Sequence, residues 1–329
     1  MILAAEMQRA LVAEASLAPS VHNVQPARWR FTDGGLILFE DRTRRLPAGD
    51  PTGRDAATSL GAAAEGMAIA LSRHGLALED DGESDFPEAA GDLIPIRRFR
   101  LSEGCALDPL ADFVSLRQSR RGAFLTPSPA DREAARALQA DDSAPIADEA
   151  AIAEVAALAD RAGLGFFRNR PFRAELLSWM RLSKRHRRWM LDGLNAEAMA
   201  LSRLDRIGAG LVLGPLFRLI DRLGLSSAVT AEAGTVKSAA ALIVFHRPAD
   251  EPPFEGGRAF YRFWLRVVEA GFQAAVMAAL ADDESAAEAL HHRLSIPDDR
   301  RIASVLRIGR AAPKSAYPRA RLPVEELLI

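Results

Sequence analysis

The chain of 329 residues contains one cysteine, Cys105, which excludes an internal disulfide and any zinc site built from several cysteines. It also lacks an apolar run near the roughly 18 residues that a membrane span needs. The nearest stretch, Ile207 to Leu216, is short and is followed by Arg218, Asp221 and Arg222. Glu6, Arg9 and Glu14 interrupt the N-terminal stretch, which therefore reads as an amphipathic helix and not as a secretory leader. Neither sign of charge dominates: the formal net charge is −2, which gives no electrostatic reason to expect nucleic acid or an anionic membrane as the main partner. Lysine occurs only as Lys184, Lys237 and Lys314, so arginine carries the basic charge, a skew that nucleotide composition accounts for. There is no G-x-G-x-x-G dinucleotide turn and no G-x-S-x-G nucleophile turn. His291 and His292 are adjacent on a predicted helix and face different ways, which argues against a metal pair. These absences lead to the expectation of a soluble, cytoplasmic protein with no metal, nucleic acid or membrane partner.

What is present is a globular composition, 49% apolar and 26% charged, enough for a large core in one big or two modest domains. Periodicity predicts helices over 3–16, 54–73, 108–117, 129–139, 148–162, 170–190, 195–206, 257–270 and 284–293. Strands are predicted at Trp29–Phe31 and Leu36–Phe39 around the Asp33-Gly34 turn, and at Ile94–Leu101, Ala240–Phe245 and Ser304–Ile308. Glu79 to Asp92 reads as a surface loop. Few strands among many helices, without regular βαβ alternation, predict an α+β fold. Gly61 to Gly75 and Gly257 to Gly271 enclose helices of the same spacing, each ending in glycine and a hydrophobe, as a duplicated core would leave.

Two loops are rich in polar chemistry. One is Pro19-Ser20-Val21-His22-Asn23-Val24-Gln25-Pro26; the other runs Arg117-Gln118-Ser119-Arg120-Arg121. Guanidinium forks match phosphate oxygens and a hydroxyl adds a donor, so the second loop can grip a dianionic phosphate. The same residues also suit a solvated basic helix end. Arg319 and Arg321 lie in a further basic, proline-flanked segment from Pro313 to Pro323. His22, without a partner nearby in sequence, reads as an exposed loop histidine. The basic stretch Arg181 to Trp189 reads either as a solvated helix face or as a cover whose Trp189 could stack on a substrate.

Pro19-Ser20-x-x-Asn23-x-Gln25-Pro26 resembles the P-S-x-x-N-x-Q-P loop of the FMN-dependent nitroreductase superfamily. Arg117-x-Ser119-x-Arg121 is similar to its R-x-S-x-[RK] signature, and Arg319-x-Arg321-Leu322-Pro323 to its C-terminal basic segment. An extra residue, Gly122, before Phe124 departs from the usual pattern. In that superfamily FMN sits at a dimer interface, with the phosphate held by one subunit and the P-S-x-x-N loop supplied by the other. Here one chain carries all three segments, an order that resembles the double-domain branch of the superfamily.

The resemblance implies a nitroreductase-like fold internally duplicated into a single-chain pseudo-dimer. Its first half would be residues 1–108. Its second half, 109–329, would carry the phosphate loops and a helical cover over 170–228. One FMN per chain would be bound by Pro19, Ser20, Val21, Asn23, Gln25, Arg117, Ser119, Arg121, Arg319 and Arg321. A polar contact to the flavin pyrimidine edge would come from Glu232, Thr235 or Lys237, and backbone near Val276-Met277-Ala278-Ala279 would face the ring. Hydride would pass from NAD(P)H through FMN to an electron-poor small-molecule acceptor, with no side chain required as acid or base. The chain would be a monomer or a homodimer. Two further readings are a protein that sequesters FMN with little turnover and a flavin-free scaffold.

Overall fold

An Asp-Gly turn joins β1 (Ala27–Thr32) to β2 (Gly35–Asp41), an antiparallel pair in which Trp29 faces Leu38. The computed structural model describes residues 2–82, 91–227, 233–312 and 319–329. With β3 (Leu76–Asp80) and β4 (Leu93–Glu103) the hairpin forms an antiparallel sheet in the order β1-β2-β4-β3. Helix α1 (Ala5–Ala15) and helix α2 (Arg54–Ser72) lie on this sheet and close a core around Leu11, Trp29, Leu38, Met67 and Phe99. Leu322 and Leu327, from the far end of the chain, complete that core.

A second sheet is built from β5 (Ser143–Ile146), β8 (Ala241–Pro248), β9 (Gln273–Val276) and β10 (Arg300–Gly309), in the order β5-β8-β10-β9. Its pairs are also antiparallel. Position for position, this is the strand order of the first sheet. Alternation along β8 sends Leu242 and Val244 to one face and Ile243 and Phe245 to the other, and both faces are covered. The first face packs against Ile152 and Val155 of a long helix, α4 (Glu149–Arg168), which follows α3 (Pro129–Arg136). The second face packs against Phe260, Phe263 and Trp264. Architecturally the molecule mixes helix and antiparallel sheet, as the sequence pattern leads one to expect.

Phe260 and Trp264 belong to a helix over Pro253–Glu269, which pairs closely with α2. Two glycines allow the approach. A side chain at Gly61 would strike the Phe254 carbonyl, and one at Gly257 would strike the Thr58 carbonyl. Each glycine thus meets the carbonyl three residues before the other, the reciprocity of a two-fold contact. Glu65, buried at the same seam, binds Arg258 Nε at 2.9 Å and Arg262 Nη1 at 2.8 Å. Both helices give way to strands at glycines in the left-handed region, Gly75 (φ 70°) and Gly271 (φ 78°), a conformation that L side chains rarely adopt.

Several expectations are corrected. Residues 108–117 form only a short 3-10 turn, Ala111–Phe113, and the Asp108 carboxylate, which accepts from Leu110 N at 2.8 Å, also binds Arg262 Nη1 at 2.6 Å. The predicted helix 170–190 stops as α5 (Arg170–Trp179), because Arg181 is drawn inward to the buried carboxylate of Asp192. A short parallel pair, β6 (Met180–Arg181) and β7 (Leu194–Asn195), replaces its second half. The predicted helix 195–206 is not helical over 195–202; α6 (Arg203–Val212) starts later, where Ser202 and Asp205 form a capping box, and α7 (Phe217–Arg222) follows. Part of the expected loop Glu79 to Asp92 belongs to β3, and residues 83–90 lie outside the described residues.

Candidate functional site

The loop after α1 is held in a conformation that ordinary residues avoid. His22 (φ 44°), Asn23 (φ 56°) and Gln25 (φ 53°) all sit in the left-handed region. Such residues cost about 1–3 kcal/mol each and persist only when their surroundings over-determine them. Here the surroundings do. Ser20 Oγ accepts from Gln25 N at 3.0 Å, and Ser59 Oγ on α2 accepts from Val21 N at 3.1 Å. Asn23 Nδ2 donates to Ala320 O at 3.1 Å and to Gly193 O at 3.3 Å. Gln25 Nε2 donates to Leu191 O at 2.8 Å, and its Oε1 accepts from Leu322 N at 2.9 Å.

This loop forms one wall of a cavity of about 390 Å³. Pro19, Ser20, Val21, His22 and Asn23 line it, together with Arg117, Ser119, Arg121, Arg319 and Arg321. Nine of the ten residues expected to hold a cofactor thus share one cavity. Gln25 is not in its lining; its amide ties the loop to Leu191 and Leu322. The arginine end is tightly braced. Arg117 is buried, lies 4.7 Å over the Trp264 ring and donates to Leu17 O at 2.7 Å. Arg321 donates to Ser16 O at 2.6 Å, to Leu17 O at 3.2 Å and to Asn23 Oδ1 at 2.9 Å. Arg319 donates to Ser115 O.

Away from the arginines the cavity changes character. Phe166 and Phe167 of α4 and Phe172 of α5 line one side, with Phe166 and Phe172 centroids 5.5 Å apart. Val276, Met277, Ala278 and Ala279 line it as well. Three carboxyls also face it, those of Asp55, Asp160 and Asp282. Asp55, on the first turn of α2, is pushed up to about 7, by burial first and then by Asp282 and Asp50, against the opposing pull of Arg54. Burial also raises Asp282, whose carboxylate is salt-bridged to Arg54. The cavity can therefore grip an anion at one end, seat a planar apolar group beyond it, and hold a proton on a carboxyl.

His22 corrects the sequence reading. It is not an exposed loop residue: it lines the cavity, its Nδ1 is buried without a hydrogen-bond partner among the described residues, and its imidazole is lowered to about 4 by burial and then by Arg121. The Trp264 indole nitrogen is likewise buried and unpartnered. Trp189 is buried outside the cavity lining, which removes it from the substrate-stacking role. The Arg181 to Trp189 stretch is not simply a solvated face either, since Arg181 and Arg188 both bind Asp192, at 2.8 and 2.6 Å. Thr235 and Lys237 are not in the lining, while Glu232 and the segment 313–318 lie outside the described residues. Asp55, Asp282, Trp264 and the three phenylalanines were missed in sequence. They are ordinary residue types, and only the packing of α2, α4 and α5 against the helix over Pro253–Glu269 and the turn Ala279–Asp282 brings them together.

No protein-family model matches the chain. It is 39% identical over 71 residues to "Putative NAD(P)H nitroreductase Rv3131" of Mycobacterium tuberculosis (strain ATCC 25618 / H37Rv), 22% of this chain and 21% of that protein. It is 41% identical over 58 residues to "Putative NAD(P)H nitroreductase acg" of the same strain, 18% of each chain. The matches span about a fifth of the length of these curated relatives. Among solved structures, the FMN and NADPH-dependent nitroreductase NfnB from sphigopyxis sp. strain HMH aligns with TM-score 0.34 and 16% identity, over 68% of this chain and 98% of that one. A nitroreductase with bound FMN from Bacteroides fragilis NCTC 9343 aligns with TM-score 0.34 and 10% identity, over 64% and 92%. Likeness at that level carries no argument.

Proposed function

We propose that the chain is a nitroreductase superfamily member resembling Acg, and that it is an FMN-dependent oxidoreductase with one composite flavin site per chain. The observation that carries the proposal is the meeting of three distant segments, 19–23, 117–121 and 319–321, around one cavity. The residues fit the group. An arginine-rich end suits a phosphate, and the unpartnered nitrogens of His22 and Trp264 are buried polar atoms that a bound molecule can satisfy.

Arg117, Ser119, Arg121, Arg319 and Arg321 would hold the phosphate, and Pro19, Ser20, Val21 and Asn23 the ribityl and ring. Bound there, FMN supplies two-electron chemistry between NAD(P)H and an electron-poor acceptor. Phe166, Phe167 and Phe172 would exclude water from the acceptor's place. Gln25 serves by fixing the loop and not by touching the ligand.

The reading includes a duplicated core, with halves 1–108 and 109–329. The shared strand order of the two sheets and the reciprocal glycine contact support it.

Purified protein is expected to release close to one FMN per chain on denaturation and to oxidise NAD(P)H when an acceptor is present. Flavin release without NAD(P)H oxidation would favour the sequestering reading, and absence of flavin binding would refute the site. Arg121→Ala and Arg319→Ala should each weaken FMN by about 1.5–3 kcal/mol while sparing riboflavin, which has no phosphate. Equal loss for both ligands would remove the phosphate role.

A further inference from the structure

At the junction of α4 and α5 the chain reads Arg168-Asn169-Arg170-Pro171-Phe172-Arg173, and α7 carries Arg218 and Arg222. The Asn169 side chain caps α5 by accepting from Phe172 N at 3.2 Å, so one helix ends and the next begins among these arginines. Arg218 and Arg222 share one side of α7, as residues four apart on a helix do. All five arginines line a single cleft of about 280 Å³, together with Phe217 and Asp221. This cleft shares no lining residue with the larger cavity, whose Phe167 and Phe172 are the chain neighbours of Arg168 and Arg173.

The charges in the cleft do not balance. Asp221 is its one acidic lining residue, and that carboxylate is already engaged by Arg168 at 3.1 Å and by the Ser226 hydroxyl at 2.6 Å. Among the described residues no carboxylate pairs with Arg170, Arg173, Arg218 or Arg222. Exposed arginines tolerate that, because water solvates them. Arg173 is different. It is only 6% exposed, its guanidinium lies 4.0 Å from the Phe217 ring, and it donates to the carbonyls of Leu213, at 3.3 Å, and of Phe167. Carbonyls and a ring face soften the burial but bring no counter-ion, and a buried charge is costly unless it is paired. Burial first, and then Arg218 and Arg170, loosen its hold on a proton.

An anion set among these arginines relieves both the crowding of like charges and the unpaired burial. Guanidinium forks match phosphate oxygens bidentately, and several forks can share one dianion. Volume limits the occupant: pockets that engulf drug-sized ligands run to roughly 300–1,000 Å³, so this smaller cleft suits a phosphoryl group and not a whole nucleotide. We propose that the cleft between the α4–α5 junction and α7 binds the phosphoryl group of a small anion, at a site separate from the flavin cavity. The group is either free, as phosphate or pyrophosphate, or the outlying phosphate of a larger molecule whose remainder stays outside the cleft. The proposal does not rest on the flavin reading, since neither lining contributes a residue to the other.

Isothermal titration of the full chain with inorganic phosphate, pyrophosphate, NADP+ and NAD+ tests it, at an ionic strength fixed with sodium chloride and with or without excess FMN. Binding of phosphate or pyrophosphate that persists in FMN is expected if the anion is free. Binding of NADP+ that NAD+ does not match is expected if the phosphate is carried on a nucleotide. Arg218→Gln/Arg222→Gln should weaken whichever is bound by at least about tenfold. Without anion its thermal midpoint should be no lower than the parent's, because both side chains are exposed and the change relieves like-charge crowding. No binding of phosphate or pyrophosphate together with equal affinity for the two dinucleotides would overturn the proposal. So would phosphate binding that FMN abolishes, which would return the anion to the larger cavity, or a double variant that binds like the parent. The parent's own thermal midpoint needs no variant: it should rise with the bound anion by mass action, and a midpoint unmoved at saturation would equally sink the site.

Discussion

Burial and the Arg121 charge lower the His22 imidazole to about 4, so the folded chain resists a proton that the unfolded chain accepts near 6.5. Stability from this residue is therefore full above about 6.5 and is lost as pH falls through 4. Between those limits the parent should lose about 2–3 kcal/mol on this account, and His22→Gln should flatten that slope. Denaturant titrations of both proteins at several pH values measure it, and parallel slopes would mean that the imidazole is not buried. Asp55 has the opposite sign. Its carboxyl, raised to about 7, adds stability that is fully present below about 4 and is lost as pH rises through 7. At this scale the sequence was legible where chemistry is concentrated: arginines beside a serine, or a proline-bounded loop with Ser20 and Asn23. Asp55 was not legible, because an acid in a helix's first turn reads as a complement to the macrodipole. Its hold on a proton depends in part on Asp282, far along the chain.

Helix α2 and the helix over Pro253–Glu269 approach so closely that the seam tolerates no added carbon. Gly61→Ala and Gly257→Ala should each lower stability by about 1–3 kcal/mol through overpacking, despite the gain in helix propensity of about 1 kcal/mol that alanine brings. Gly208→Ala on α6, where the new methyl meets nothing within 4 Å, should instead gain up to about 1 kcal/mol. Urea unfolding of the three variants compares them directly; a Gly61→Ala protein as stable as Gly208→Ala would contradict the close seam. Long elements such as α2 were readable because periodicity accumulates over many residues. Short strands were not. β5 spans only four residues and contains Pro145, a composition that marks a turn unless an edge position is already known. The break after Trp179 was equally hidden, since it depends on an ion pair with Asp192 and not on a local helix breaker.

For the whole molecule, the consequential link is Asn23. Its side chain joins the first loop to Gly193, to Ala320 and to Arg321, so one amide gathers the cover and the C-terminal segment. Asn23→Ala should destabilise the ligand-free protein by about 1–3 kcal/mol, through loss of its hydrogen bonds to Gly193 O and Ala320 O and of an acceptor for Arg321. It should also shrink the stabilisation by FMN, about 2.7 kcal/mol at a hundredfold excess over the dissociation constant, because Arg321 loses a brace. Melting curves of both proteins with and without FMN test this, and identical ligand-induced shifts would detach the first loop from the proposed site. The order of the three loop segments along the chain was legible, and it suggested a shared site. Their actual ties were not, since hydrogen bonds between residues so far apart leave no local pattern. The same wiring sets a schedule for biosynthesis. Trp29, on the edge strand β1, pairs with Leu328, and its carbonyl accepts from the amide of Ile329. The segment that covers this edge is translated long after the strand itself. Throughout elongation the nascent first sheet therefore exposes a bare β-edge, and a ribosome stalled before residue 324 would release a chain primed to pair with its neighbours.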